Sequence, residues 1–177
     1  MKNDFDLMVI GGGSGGLASA QRAAEYGANV AVIEQAPLGG TCVNVGCVPK
    51  KVMWYAAQHI SFHKLAADYG FDIKIKSHDW AQLKKKRDAY IKRLNGIYER
   101  NLKARNIQLI RGPAKFKNQS TVTVNDIDYS SQKIVIATGG KPIVPEISGG
   151  KLGIDSDGFF ALDRCPSKVA IIGSGYI

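Results

Sequence analysis

Two cysteines, Cys42 and Cys47, are the residues of this chain best suited to chemistry, and only four residues separate them. Glycines precede the pair, Gly46 lies inside it, and lysines follow at positions 50 and 51. In a cytosolic protein, two thiols this close in sequence are typical of a catalytic or metal-binding site rather than of a structural disulfide. A glycine-rich turn of the kind that holds a dinucleotide comes shortly before them. The combination indicates electron transfer between a bound cofactor and sulfur.

A disulfide between these cysteines requires an irregular helix. In a regular α-helix, residues five positions apart have Cα atoms about 8.6 Å apart. A disulfide needs less than about 6.8 Å. If the two cysteines are to bond, we therefore predict that the first helical turn is tightened or broken between them, with Gly46 as the residue where the backbone can yield. A helix N-terminus and the positive charge of Lys50 are expected to lower the pKa of a cysteine here. Such a disulfide would be strained, accessible and reducible.

A zinc site is an alternative, because Cys42, Cys47, His59 and His63 have a spacing close to that of a Cys₂His₂ site. A zinc finger holds its thiols on a hairpin and its imidazoles on a helix, and it folds as a small separate unit. Here the cysteines continue directly from a βαβ unit. We favour the redox interpretation and expect no metal. A non-catalytic nucleotide-binding module is a further alternative.

The glycine-rich turn has the spacing of a dinucleotide-binding motif: Gly11, Gly13 and Gly16 follow an apolar strand and open a helix. The first glycine makes the tight turn, the second lets a pyrophosphate approach the backbone, and the third lets the helix pack closely on the strand. Glu34 ends the next strand, where it would accept the ribose hydroxyls of an adenosine. The predicted strand, helix and second strand span residues 5–10, 17–26 and 29–33.

The rest of the chain completes an α/β pattern. Helical periodicity predicts an inserted pair of helices from about Pro49 to Tyr69 and from about Asp79 to Asn106. Alternating apolar residues then predict a short antiparallel meander, with a turn at Asn125 and Asp126. The strands of that meander are predicted at residues 108–111, 114–116, 121–124 and 127–129, and a buried strand follows at 133–138.

The predicted fold class is a three-layer, Rossmann-like nucleotide-binding fold with a parallel sheet, the inserted helical pair and the small antiparallel meander. We expect residues 1–160 to form the domain that carries the redox pair. Residues 161–177 read as a linker and the first strand of a second, truncated Rossmann fold, because the apolar run 169–172 leads into a second Gly-x-Gly. This pattern predicts a fragment of a longer protein.

Composition excludes some partners and leaves others open. The 177 residues carry a net charge of +9, from 24 Lys and Arg against 15 Asp and Glu. This excess suits an anionic ligand, although a run such as residues 84–87 is equally explained as a solvated helix face. No nucleic-acid motif and no apolar run long enough to span a bilayer is present, so we expect neither nucleic acid nor membrane as a partner. The first residues lack the features of a signal peptide, which favours a cytoplasmic location.

The stretch from Gly39 to Cys47, Gly-Gly-Thr-Cys-x-Asn-x-Gly-Cys, resembles the FAD-dependent pyridine nucleotide–disulfide oxidoreductases when it follows a GxGxxG turn. The resemblance covers essentially the whole chain. Within that family, residues 42–54 and 153–160 are most similar to the members that use NADPH to reduce glutathione disulfide. The resemblance implies a homodimeric enzyme that keeps cellular thiols reduced, with FAD and NADPH as cofactors. It also implies that this fragment, which would lack the NADPH domain, is inactive alone.

The resemblance also assigns roles to individual residues. Cys42 would attack glutathione disulfide, Cys47 would lie against the flavin, and Lys50 would place positive charge near it. Where Gln21 stands, some relatives of this type have an arginine that suits a substrate carboxylate. The implied glutathione contacts are Ser14, Ile97, Tyr98 and Asn101. The FAD-binding residues, from the glycine motif and the resemblance together, are Gly11, Gly13, Ser14, Gly15, Gly16, Glu34, Gly40, Thr41, Cys42, Lys50, Ala114, Thr138 and Gly139.

Overall fold

Strand β1 (Asp4–Ile10) lies at the centre of a six-stranded sheet in the computed structural model, which describes residues 3–173 and 175. The strand order is β3-β2-β1-β6-β5-β4. The first four strands of that order are parallel, and β4 and β5 add an antiparallel edge. The other strands are β2 (Val30–Glu34), β3 (Gln108–Arg111), β4 (Lys115–Phe116), β5 (Thr121–Val124) and β6 (Ile127–Ile136).

Within the described residues, five α-helices accompany the sheet: α1 (Ser14–Glu25), α2 (Gly40–Val45), α3 (Cys47–Leu65), α4 (Trp80–Ala104) and α5 (Ser156–Ala161). Short 3₁₀ turns cover Ala66–Tyr69 and Gly150–Leu152. The inserted helical pair is confirmed as α3 and α4. The 3₁₀ turn that follows α3 ends at Gly70, which has a left-handed conformation. None of the helices in the described part of the chain is both long and apolar enough to cross a membrane.

The core lies on both faces of the sheet, because successive side chains of a strand point to opposite faces. Val9 faces a cluster that Leu17 of α1 and Leu102 of α4 complete. Met8 and Ile10 face the other cluster, to which β5 and β6 contribute apolar side chains. The α/β Rossmann-like fold class is thereby confirmed.

The predicted meander is wrong at its first strand. Residues 108–111 form β3, which pairs in parallel with β2 rather than with the meander. Its pairing places Ile110 beside Ile33, where it is buried in the core. The hairpin itself is confirmed: Asn125 and Asp126 both have positive φ, as the tight turn between β5 and β6 requires.

Strand β6 also differs from the prediction. Residues 127–129 and 133–138 were predicted as two strands, but residues 127–136 form one continuous strand, whose first half pairs with β5 and whose second half pairs with β1. This strand ends two residues before the predicted end. The second half is not the buried strand that its apolar residues predict: Ile136 is 66% exposed. Residues 167–173 form no strand, and Val169, Ile171 and Ile172 are exposed. Ser174, Tyr176 and Ile177, the rest of the predicted second motif, lie outside the described residues.

Helix α4 holds the end of α5 through backbone carbonyls. Three side chains one helical turn apart on α4 donate hydrogen bonds to the carbonyl oxygens of three successive residues. Trp80 donates to Leu162 at 3.0 Å, Lys84 to Ala161 at 2.7 Å and Arg87 to Phe160 at 2.8 Å. These carbonyls have no partner within their own helix. The contact fixes the chain where it leaves the predicted first domain.

Candidate redox and dinucleotide site

The candidate site is a cleft of about 430 Å³ at the carboxyl ends of the parallel strands. Gly11, Glu34 and Ala137 come directly after β1, at the end of β2 and directly after β6. In the sheet, β2 lies on one side of β1 and β6 lies on the other side. The strand order therefore reverses at β1, and the cleft lies at this point. Open α/β sheets bind ligands at this position.

The glycine turn is shaped by close backbone contacts. A β-carbon on Gly16 would lie 1.8 Å from the Gly11 carbonyl oxygen, so only glycine lets α1 start this close to the end of β1. The first backbone N–H groups of α1 have no partners within the helix and face the phosphate-binding position of such folds. The predicted roles of the first and third glycines are therefore consistent with the geometry.

Glu34 organises the cleft through backbone amides. One carboxylate oxygen accepts a hydrogen bond from the Gly12 N–H and the other from the Ala36 N–H, both at 2.7 Å. Each oxygen retains a second acceptor position. The carboxylate therefore ties the glycine turn to the loop after β2 and can still accept bonds from ribose hydroxyls.

The dithiol loop is joined directly to the glycine turn. The Gly39 N–H donates to the Gly12 carbonyl oxygen at 2.8 Å. A β-carbon on Gly40 would lie 2.7 Å from Gly13 Cα, so this contact depends on two glycines. Helix α2 thus starts against the glycine turn, and Cys42, in the first turn of α2, lines the cleft.

The helix breaks between the two cysteines, as predicted. Helix α2 ends at Val45, Gly46 has φ −148° and ψ −119°, and α3 begins at Cys47. Cys42 is half-buried and Cys47 is exposed, and both are free thiols here. The exposed Cys47 is not among the residues that line the cleft.

The pKa of the Cys42 thiol is raised, which contradicts the prediction that it is lowered. The largest cause is the hydrogen bond with the Cys47 side chain, followed by burial and by repulsion from charge on Cys47. The backbone N–H of Cys47 acts in the opposite direction. In the reduced pair, then, the Cys47 side chain is the main influence on the pKa of the Cys42 thiol, and Lys50 is not among the causes of the shift.

Most residues predicted to bind the cofactor come together in the cleft: Gly11, Gly13, Ser14, Gly15, Glu34, Gly40, Thr41, Cys42, Thr138 and Gly139. Gly16 is buried beneath the turn, and Ala114 packs against the core. Lys50 is exposed in the first turn of α3. Ile97, Tyr98 and Asn101 are half-buried on α4, outside the cleft wall, and their contact with glutathione stays a prediction.

The residues present fit FAD. Gly13 and Gly15 line the cleft with backbone alone, and a β-carbon on Gly15 would meet no other atom within 4 Å. A helix N-terminus for phosphates, a carboxylate for ribose and the Cys42 thiol at the cleft wall are groups that suit this cofactor and an adjacent redox pair.

A metal centre is not assembled. His59 and His63 both lie on α3, and residues 3–173 and 175 contain no group of three or more His, Cys, Asp and Glu side chains placed to hold a metal ion.

Sequence reasoning assigned no structural role to two asparagines beside the dithiol. Asn44 lines the cleft, and Asn95 of α4 bonds it. The asparagine between the two cysteines was visible in the motif, whereas nothing in the helical pattern of α4 distinguished Asn95 from any other polar residue.

Comparison with known proteins gives consistent matches. A family model described as pyridine nucleotide-disulphide oxidoreductase matches residues 5–177. The chain is 53% identical over 187 residues to a glutathione reductase of Yarrowia lipolytica, covering 98% of this chain and 40% of that protein. It is 53% identical over 182 residues to a glutathione reductase of Schizosaccharomyces pombe, covering 98% of this chain and 39% of that protein. The chain therefore spans about two-fifths of the length of these relatives.

Proposed function

The chain belongs to the pyridine nucleotide-disulphide oxidoreductase family, and on that basis we propose that it is the FAD-binding and dithiol-carrying part of a glutathione reductase. The observation that carries this proposal is the contact between the Gly39–Gly40 segment and the Gly12–Gly13 turn. Because of it, Cys42, the first cysteine of a redox-capable pair, lies at the wall of the cleft. The two glutathione reductases that are 53% identical to this chain support the choice of substrate.

FAD, when bound, would supply a two-electron carrier between NADPH and the Cys42–Cys47 disulfide. Gly13, Ser14 and Gly15 would bind its phosphates, and Glu34 its ribose. Gly11, Gly16, Gly40, Thr41, Ala114, Thr138 and Gly139 complete the proposed set. Lys50 would supply positive charge beside the flavin.

The dithiol would transfer two electrons to glutathione disulfide in two exchanges. The Cys42 thiolate attacks one substrate sulfur, the substrate S–S bond breaks, and one glutathione leaves and takes up a proton. The Cys47 thiolate then attacks the Cys42 sulfur of the mixed disulfide. The second glutathione leaves, and the Cys42–Cys47 bond forms. Ser14, Ile97, Tyr98 and Asn101 would bind the substrate.

The proposal extends to the whole protein. Residues 1–160 would form the FAD domain and residues 161–177 would lead into an NADPH domain, without which this chain has no turnover. The enzyme would act as a homodimer in the cytoplasm and maintain reduced cellular thiols. We propose no role in binding nucleic acid or membranes.

A different disulfide substrate is the second candidate, and Gln21 favours it. Its side chain is a neutral amide and therefore presents no positive charge to a substrate carboxylate. Its N–H donates to the Leu17 carbonyl oxygen at 3.1 Å, back onto its own helix. A mixed disulfide or a thioredoxin-like protein would then be reduced instead.

Turnover measurements separate these possibilities. In a protein of the relatives' length that carries this chain, NADPH oxidation should depend on glutathione disulfide, and Cys42→Ser should abolish it. If another disulfide is reduced faster than glutathione disulfide, the protein is still a disulfide reductase of this family, but the proposed substrate is wrong. Turnover that survives Cys42→Ser would overturn the proposed function.

A further inference from the structure

Helix α4 reaches the dithiol loop through the amide of Asn95. Its Nδ2 donates to the Leu38 carbonyl oxygen at 2.7 Å and to Asn44 Oδ1 at 3.0 Å. Both acceptors belong to the segment that carries Cys42: Leu38 precedes the two glycines at its start, and Asn44 lies in the same helix as Cys42. Asn95 thus connects the long helix of the inserted pair to the redox segment without touching either sulfur.

The orientation of Asn44 is fixed by its own donors. Its Nδ2 lies 2.9 Å from the Gly40 carbonyl oxygen, 3.2 Å from that of Pro37 and 3.3 Å from that of Leu38. Three acceptors share two hydrogens, so the nitrogen must point toward them and Oδ1 must point toward Asn95. Asn95 therefore has to present its NH₂ group. A side chain of the same shape that only accepts hydrogen bonds cannot replace it.

Burial of the acceptors increases the contribution of these hydrogen bonds to stability. Leu38 is fully buried, and its carbonyl oxygen accepts from both asparagines. Asn44 and Asn95 are half-buried. If the donor to a buried acceptor is removed, no water replaces it, and the free-energy cost of desolvating that acceptor is no longer offset by a hydrogen bond. The network consequently holds α2 in one position relative to α4.

We propose that Asn95 is a positioning residue for the cysteine pair. By holding Asn44, it keeps α2 in the orientation from which Cys42 reaches Cys47 across the break at Gly46. The inference rests on the proposed function, because it assumes that the two thiols exchange with a disulfide. It adds a specific role for a residue that lies 48 positions from Cys47 in sequence.

The equilibrium between the dithiol and glutathione tests this role without the cofactor. One reduced chain and one glutathione disulfide give one Cys42–Cys47 disulfide and two glutathione molecules, so two electrons and two protons pass from the chain. The oxidised fraction is measured by mass spectrometry after thiol blocking, in chains that carry Cys165→Ser. The variants are Asn95→Asp, which keeps the shape but loses both donors, and Asn95→Ala.

We expect the equilibrium constant for disulfide formation to fall about tenfold in Asn95→Asp at pH 7.5, the size of one or two lost hydrogen bonds. The defect should shrink at pH 5, because the two acceptor oxygens that face position 95 favour the protonated form of the introduced carboxyl, and that form regains one donor. The defect of Asn95→Ala should not change with pH. Gln82→Ala, an exposed amide on the same helix, is the control and should match the parent.

Three results would overturn the inference. The first is an equilibrium constant in both Asn95 variants that equals or exceeds that of the parent. The second is a defect in Asn95→Asp with no dependence on pH. The third is loss of the helical circular dichroism in both variants, which would make Asn95 a residue of general stability. A parent chain that forms only mixed disulfides with glutathione would instead refute the proposed function, so the two failures are distinguishable.

Discussion

Gly46 lies against the backbone of Thr41 so closely that a β-carbon on Gly46 would come within 2.8 Å of the Thr41 carbonyl oxygen. The same β-carbon would lie 3.1 Å from Cys42 Cα. The chain can fold back over the first cysteine only because this position has no side chain. The break between α2 and α3, and with it the approach of the two sulfurs, depends on this contact.

Replacing Gly46 with alanine should therefore separate the cysteines. We expect Gly46→Ala to cost about 1–3 kcal/mol of unfolding free energy, since backbone atoms must move to admit the methyl group. We also expect the Cys42–Cys47 disulfide to form less readily. Urea unfolding and thiol trapping measure the two effects. Gly140→Ala, where a β-carbon would meet no atom within 4 Å, is the control; equal behaviour of the two variants would contradict the prediction.

The raised pKa of Cys42 predicts how the reduced chain reacts with alkylating agents. Because the thiolate is the reactive form, alkylation of Cys42 should require a higher pH than that of an ordinary cysteine. Cys47→Ala removes the side-chain hydrogen bond that is the main cause of the shift, so the pKa should fall and the pH profile should move to lower pH. Rates of iodoacetamide alkylation against pH, with Cys165→Ser in both proteins, measure this. A profile that stays in place or moves to higher pH would contradict it.

Glu34 should be needed for nucleotide binding and for the loop after β2. Glu34→Gln replaces one acceptor with an NH₂ group that faces a backbone N–H, so we expect a loss of about 1–3 kcal/mol in the free energy of binding ADP or FAD. Calorimetric titration measures this loss. Glu25→Gln, which removes only surface ion pairs with Arg22 and Arg105, should bind normally. Unchanged affinity in Glu34→Gln would show that the carboxylate does not organise the cleft.

Arg87 should stabilise the contact between α4 and α5. It is 3% exposed, bonds the Phe160 carbonyl oxygen and lies over the Phe160 ring. Arg87→Ala should cost about 2–3 kcal/mol, since it removes buried packing and a charged hydrogen bond. Hydrogen exchange in residues 156–161 should accelerate. The exposed neighbour Lys85 provides the control, because Lys85→Ala should change stability by less than about 0.5 kcal/mol. Equal protection of α5 in both variants would refute the prediction.

The sequence predicted what depends on local chemistry. Glycine spacing predicted the turn before α1. The distance between Cα atoms five residues apart in a helix is too long for a disulfide, and this predicted the break at Gly46. The Asn125–Asp126 turn followed from residues that tolerate positive φ. Each of these features is encoded within a few residues, so a pattern is sufficient to reveal it.

What the sequence did not reveal depends on distant partners. The apolar and polar residues of 108–111 alternate as in any edge strand, so the pattern does not reveal the strand direction. Only packing beside β2 makes this strand parallel to its neighbour. Arg87 ends a run of basic residues that resembles a solvated face, yet it is buried because α5 covers it. Asn95 bonds residues 51 and 57 positions away. The raised pKa of Cys42 was missed because the effect of Cys47 exceeds that of the helix end.

The absorption spectrum of the chain in excess FAD, before and after reduction of its dithiol, tests the central claim most directly. If the cysteine pair lies against the bound flavin, the reduced chain should gain a long-wavelength charge-transfer band that Cys42→Ser retains and Cys47→Ser lacks. A reduced chain that binds no FAD, or whose flavin spectrum equals that of Cys47→Ser, would contradict the account.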